Sequence, residues 1–409
     1  MAIQVSATPS AEILDRFIAE MQDDTRLRLP DLNTQLDVGE RTDVVGLVDA
    51  ARVWTDPLSE IVATYGTRMT VTQARQLIQS SSFWLSSIER NVRPIGWEPG
   101  AGLALLPGLE SSLMKLARIG KHLPLQQYDL FWLQNPPQSA LRFTLNPQEA
   151  FFHKAVLGVH GGFTEACLAL QPIVDGDVPI DSRRAVEGLA VVEAKAQAVW
   201  EIYHSFTQTP PGASQANMTP RYFAAYFRVF LLDVPFDGAS VSGPNAAHIP
   251  SAPGLDFLVG TVEDFYVEYI DKIWPYLTPE DQATLTANIR RPPLVQVLVE
   301  ALGLTPDEVK ARAGADLATV VAQSPEQLRE TLRAFKRAVL KLSQASGMHA
   351  HLIQKYLDQV EPQLSERERR RLSVKLNLGT GKANREETMR IRDMRRFHEI
   401  VKPLIDAIR

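Results

Sequence analysis

The chain has 409 residues, 45% hydrophobic and 22% charged, enough for one large core or two modest domains. A formal net charge of −5 argues against a dedicated nucleic-acid binder, which presents a basic footprint. One cysteine, Cys167, excludes a disulfide framework and any cysteine-rich zinc or iron–sulfur site. The opening MAIQVSATPSAEILDRF lacks the basic-then-apolar order of a secretory signal. No run of about 18 uncharged apolar residues is present, so no membrane span is expected. The reducing cytoplasm is the expected location, and the oligomeric state stays open.

Periodicity along the chain is helical, and alternating strand-type runs are scarce. Helices are expected near 10–20, 70–90, 108–120, 147–171, 183–207, 219–232, 255–276, 279–290, 294–303, 305–312, 325–360, 364–376 and 384–408. Thr219-Pro220 and Ser324-Pro325 each place a cap before a first-turn proline, and Gln327 completes a capping box with Ser324. The class is all-α. Proline- and glycine-rich breaks at 91–107 and 133–147 suggest a smaller N-terminal helical region over 1–145 before a helical body over 146–409. The longest irregular stretch is 233–254, a length that in folded domains often serves function.

Three segments carry residues with chemical potential. In 147–171, Phe151, Phe152, Ala155, Gly158, Gly161 and Gly162 make a small-residue face. Each helical glycine costs about 1 kcal/mol relative to alanine, which points to close approach of a helix or a cofactor. His153 and His160 share a face there without a third ligand at metal spacing. In 219–230, Arg228 sits among Phe223, Tyr226, Phe227 and Phe230. A guanidinium in such company needs a partner, either a substrate carboxylate or a structural acid.

In 325–360, steps of three and four give a stripe of Leu328, Leu332, Phe335, Val339, Leu342, Ser346, His349, Ile353 and Tyr356. His351 points away from it, so the two histidines do not share a metal on a helix. Ala345, Ser346 and Gly347 leave room beside the imidazole for something flat and large. Neutral imidazole is the usual donor to heme iron, and the competing reading is a hydrogen-bonded core histidine. Arginine-rich stretches at 367–371 and 390–396 read as solvated helix faces, with one such arginine as the alternative partner of heme propionates.

Together these segments resemble the histidine-ligated heme-dependent aromatic oxygenases, the tryptophan and indoleamine 2,3-dioxygenase superfamily, and in particular its monodechloroaminopyrrolnitrin synthase family. That superfamily carries its proximal histidine as H-x-x-[LM]-[VI]-x-[KR], and His349-Ala350-His351-Leu352-Ile353-Gln354-Lys355 matches with His349 at the ligand position. Its carboxylate-binding arginine follows a proline and an aromatic, the places of Pro220, Phe223 and Arg228. Gly243-Pro244-Asn245-Ala246-Ala247-His248-Ile249-Pro250 is similar to the pyrrolnitrin-type loop that covers the heme edge, and Gly379-Thr380-Gly381 to the family's closing loop. SSFWLSSIER and LPGLESSLMKLAR also match, so the resemblance extends over most of 30–381. Two departures stand out: Ala155 replaces the indoleamine enzyme's serine, and Lys382 follows the Gly-Thr-Gly loop in place of a further glycine.

The resemblance implies a helical heme-binding bundle with heme b held by His349 as metal ligand. Gly243, Asn245, Ala246 and Ser346 would lie against the cofactor, and Phe151 and Ala155 would line the oxygen side. Arg228, Phe223, Gly379, Thr380 and Gly381 would bind substrate. The implied partners are O2 and a tryptophan-like aromatic amino acid, with oxygen inserted at the indole ring. The alternatives are indole rearrangement or monooxygenation in secondary metabolism, and a non-catalytic heme-binding protein.

Overall fold

The computed structural model describes residues 11–38, 44–92, 98–245, 248–312, 314–365, 368 and 382–408. Helix accounts for 73% and strand for 2%, so the all-α expectation holds. The chain divides into two units, neither contiguous in sequence. Met1–Lys154, Met218–Ala246 and Gln359–Gly379 form the first; Ala155–Asn217, Ala247–Asp358 and Thr380–Arg409 form the second.

The first unit opens with α1 (Ala11–Leu27), α2 (Leu29–Val38), α3 (Val45–Tyr65), α4 (Val71–Val92), α5 (Ala101–Leu105) and α6 (Leu109–Gly120). Helix α4 is its centre, packed against α1, α3, α5 and α6 and buried at every position from Leu77 to Arg90. A helix buried all round needs partners for its polar groups. Ser87 accepts from Asn33 at 2.9 Å, Trp84 donates to Thr25 at 2.9 Å, and Arg90 pairs with Asp37 while lying over the Phe230 ring. The sequence reading missed α2 and α3. In α3 the stripe Leu47, Ala51, Thr55, Leu58, Val62 and Tyr65 is regular and buried, but Pro57 in mid-helix disguises it.

Helix α7 (Pro147–Val174) gives its first turns to the first unit and the remainder to the second, where α8 (Arg183–Ser205) packs beside it. A Cβ on Gly158 would lie 2.8 Å from Ile202 Cδ1, and one on Gly162 would lie 3.0 Å from Val199 Cγ2. Both are α8 side chains. These two glycines therefore serve helix–helix approach.

The expected helix at 219–232 keeps only one α turn, α9 (Pro220–Tyr222), capped by the Thr219 hydroxyl accepting from the Tyr222 amide. A π-helical turn at Phe223–Phe227 and a 3₁₀ turn at Arg228–Phe230 follow. The stretch read as irregular from 233 instead begins with a hairpin, β1 (Val234–Phe236) against β2 (Ala239–Val241), antiparallel with Phe236 opposite Ala239. Asp237 and Gly238 turn it at φ +48° and +76°, the positive-φ pair that a two-residue hairpin loop needs.

The second unit continues with α10 (Ser251–Val259), α11 (Asp264–Ile273), α12 (Pro279–Ile289), α13 (Leu294–Ala301), α14 (Pro306–Ala311), α15 (Gly314–Gln323), α16 (Glu326–Ile353), α17 (Lys382–Phe397) and α18 (Val401–Ala407). Helix α16 is its spine, packed against α8 and α17. The predicted stripe is buried from Leu328 to Ser346 and again at Ile353 and Tyr356, with His349 half-buried and His351 exposed. The Ser324 capping box does not form: Pro325 is the cap residue, and the Ser324 hydroxyl donates to the Val321 carbonyl at 2.7 Å instead. A capping box exists at Thr305 and Glu308. Apart from Leu364, Ser365 and Glu368, the expected 364–376 helix, with its arginines at 367–371, lies outside the described residues.

Candidate functional site

His349 sits in the last turns of α16, one turn after Ser346. Its ring stacks on Tyr203 of α8, centroids 4.9 Å apart and planes 14° apart. Stacking covers a face of the imidazole and leaves the nitrogens, which lie at the ring edge, uncovered by that contact. Neither nitrogen hydrogen-bonds a described residue. Burial, with the Arg395 guanidinium as a lesser cause, pushes the pKa down to about 4. The imidazole is therefore neutral at pH 7, with an in-plane lone pair to give. That is what heme asks of a protein: one neutral donor. Among the described residues no three His, Cys, Asp or Glu side chains group as a metal-ligand set.

Beside His349 lies a charged network that the sequence reading missed. Arg395 of α17, read as part of a solvated face, is 4% exposed. Its Nε and Nη2 donate to Asp256 of α10 at 2.7 and 2.8 Å, and its Nη1 donates to the Ser346 hydroxyl. Asp256 also accepts from the Tyr266 hydroxyl at 2.6 Å. Ser346, expected against a cofactor, has its hydroxyl engaged by Arg395 and by the Leu342 carbonyl, to which it donates at 3.2 Å. One signal for this network was available: Asp256 is a lone acid in the apolar run GLDFLVG, and a buried acid needs a partner.

The first unit gathers a second group of expected site residues. Phe223 packs on Phe152 with centroids 5.4 Å apart, and Phe152 on Phe227 at 5.1 Å. Arg228 is half-buried beyond this cluster in sequence and is engaged by neighbouring groups. Phe151 is half-buried on α7, while Ala155, also on α7 and buried, belongs to the second unit. Gly243 is buried where a Cβ would lie 2.6 Å from the Leu232 carbonyl oxygen, so only glycine fits. Gln127 fastens the residue before it, donating to the Ser242 carbonyl at 2.7 Å. Asn245 follows, half-buried and engaged. Ala246, Gly379, Thr380 and Gly381 lie outside the described residues.

Two titratable groups flank Phe151 and Phe152. Glu149 accepts from the Phe143 and Thr144 amides at 2.7 and 2.8 Å and from the Thr144 hydroxyl at 2.9 Å. Burial outweighs these bonds and raises its pKa to about 7. His153 is driven down to about 4 by burial, against the pull of the Phe131 carbonyl, and its Nε2 has no hydrogen-bond partner among the described residues. In the second unit His160 lies 3.3 Å from the Ser251 hydroxyl and 3.5 Å from that of Thr164, so its ring is spoken for.

No protein-family model matches the chain, and no curated protein is significantly similar to it. Among the described residues no helix is long and apolar enough to cross a membrane.

Proposed function

We propose that the chain is a heme-dependent oxygenase of the indoleamine/tryptophan 2,3-dioxygenase type, working in the cytoplasm on tryptophan or a modified tryptophan. The observation that carries this reading is His349, a neutral imidazole with no hydrogen bond to a described residue, on a motif that resembles the family's proximal ligand. Bound heme b supplies an iron that activates dioxygen for insertion at the indole ring. The protein's part is positioning, which in such reactions supplies much of the acceleration. Arg228 takes the substrate carboxylate by a charge-assisted bond, with Phe223 as an aromatic wall. Phe151 and Ala155 carry no group that exchanges protons, which leaves the substrate N–H, water or neutral His153 for that task.

The hydroxyl-free Ala155 also supports a second reading, rearrangement or monooxygenation of an indole in secondary metabolism. Heme-loaded protein supplied with tryptophan, a reductant and ¹⁸O2 separates the two by product mass. Two labelled oxygens support dioxygenation, one supports monooxygenation, and turnover without label supports rearrangement. No turnover of any tested indole leaves a heme-binding protein without this activity. Arg228→Ala is expected to weaken substrate binding on the order of a hundredfold, the loss seen when one partner of a buried charge pair is removed.

A further inference from the structure

We propose that Arg395 is a positioning residue for His349, acting through Ser346 to hold the turn of α16 that presents the imidazole. The inference rests on the heme reading and goes beyond it, since no resemblance or motif assigns Arg395 a role.

A ligating histidine is ordinarily oriented by a partner on its second ring nitrogen, often a carboxylate or a backbone carbonyl. His349 has no such partner among the described residues. Two other contacts can hold the ring: the Tyr203 stack on its face and the anchoring of its backbone turn. The second runs through Arg395. A guanidinium serving only as the counter-charge of Asp256 would spend its Nε and Nη2 donors there and nothing more. Its remaining arm, Nη1, reaches α16 at Ser346, three residues before His349. One turn earlier, the Ser343 hydroxyl donates to the Arg392 carbonyl at 3.3 Å, so α16 and α17 are tied at successive turns. Asp256 and Tyr266 fix the guanidinium from α10 and α11. Four helices thus meet at one cation whose free arm ends beside the histidine.

The test uses the full chain loaded with heme b and compares Ser346→Ala, Ser346→Thr and Arg395→Lys. Ser346→Ala cuts the tether while leaving the Arg395–Asp256 pair whole, so it avoids unfolding the protein. The readouts are the rate of heme release to an excess acceptor, the ligand-field absorption bands, and the urea midpoint of the heme-free chain. Expected are release faster by about tenfold and displaced bands in Ser346→Ala, a loss larger than any fall in its urea midpoint accounts for. Ser346→Thr, which keeps the hydroxyl, is expected to restore both, and Arg395→Lys to fall between. Parental release and bands in Ser346→Ala would overturn the proposal. So would a urea midpoint that drops in step with heme retention, because the serine would then be merely structural. A His349→Ala control with an unaltered heme spectrum would take down the heme reading itself, and this inference with it.

Discussion

Arg395→Ala is expected to lower the unfolding free energy by about 3–5 kcal/mol, the penalty for stranding a buried charge. Asp256 is 1% exposed and would keep only the Tyr266 hydroxyl of the contacts described for its carboxylate. The loss comes from the uncompensated carboxylate rather than from any large worth of the pair. Arg395→Met with Asp256→Leu should therefore recover most of it, since apolar residues of similar volume often replace buried ion pairs at little cost. Urea unfolding of the parent, the single and the double variant measures this directly. A single variant as stable as the parent, or a double variant no better than the single, would contradict the account of this network.

Acidification is expected to give the next largest effect. Burial lowers His153, His248 and His349 to about 4 from an ordinary 6.5. For each, the folded pKa lies below the unfolded one. The stability it contributes is complete above about 6.5 and is lost as the pH falls to about 4. For the well-buried His153 and His248 this is about 3 kcal/mol each. Glu149 runs the other way, with a folded pKa near 7 against 4.5, so its contribution is complete below 4.5 and is lost as the pH rises through 7. His160 and His398 are lowered by burial as well, and Glu387 is raised like Glu149, so five histidines against two carboxyls leave stability rising with pH between about 4.5 and 6.5. Urea titrations at steps across that window should show it, and Glu149→Gln should steepen the slope. A flat profile would mean that the histidines are already protonated or solvated in the folded state.

What could be read from the sequence was what burial imposes locally. The stripe from Leu328 to Ile353 lies in one long helix, so its period of 3.6 maps directly onto the buried face, and Tyr356 follows in a π-helical turn over Gln354–Asp358. His349 and the outward His351 were legible for the same reason. Arg395 was not. Its burial depends on Asp256, 139 residues away, and periodicity carries no information about such a pair. The hairpin escaped because three-residue strands are too short to show alternation, although Asp237-Gly238 marked its turn. In 219–230 the cap at Thr219 was clear, but no local rule marks the change of pitch from Phe223 onward, where Phe223 packs on Phe152. Gly158 and Gly162 were recognised as a close-approach face, and only the structure shows that α8 occupies it.

The most direct test of the central claim is the absorption spectrum of the purified chain and its His349→Ala variant, each supplied with heme. The account predicts a strong Soret band in the parent that shifts or disappears in the variant. A parent that takes up no heme, or a variant whose heme spectrum matches the parent's, would contradict it and return His349 to the helix core.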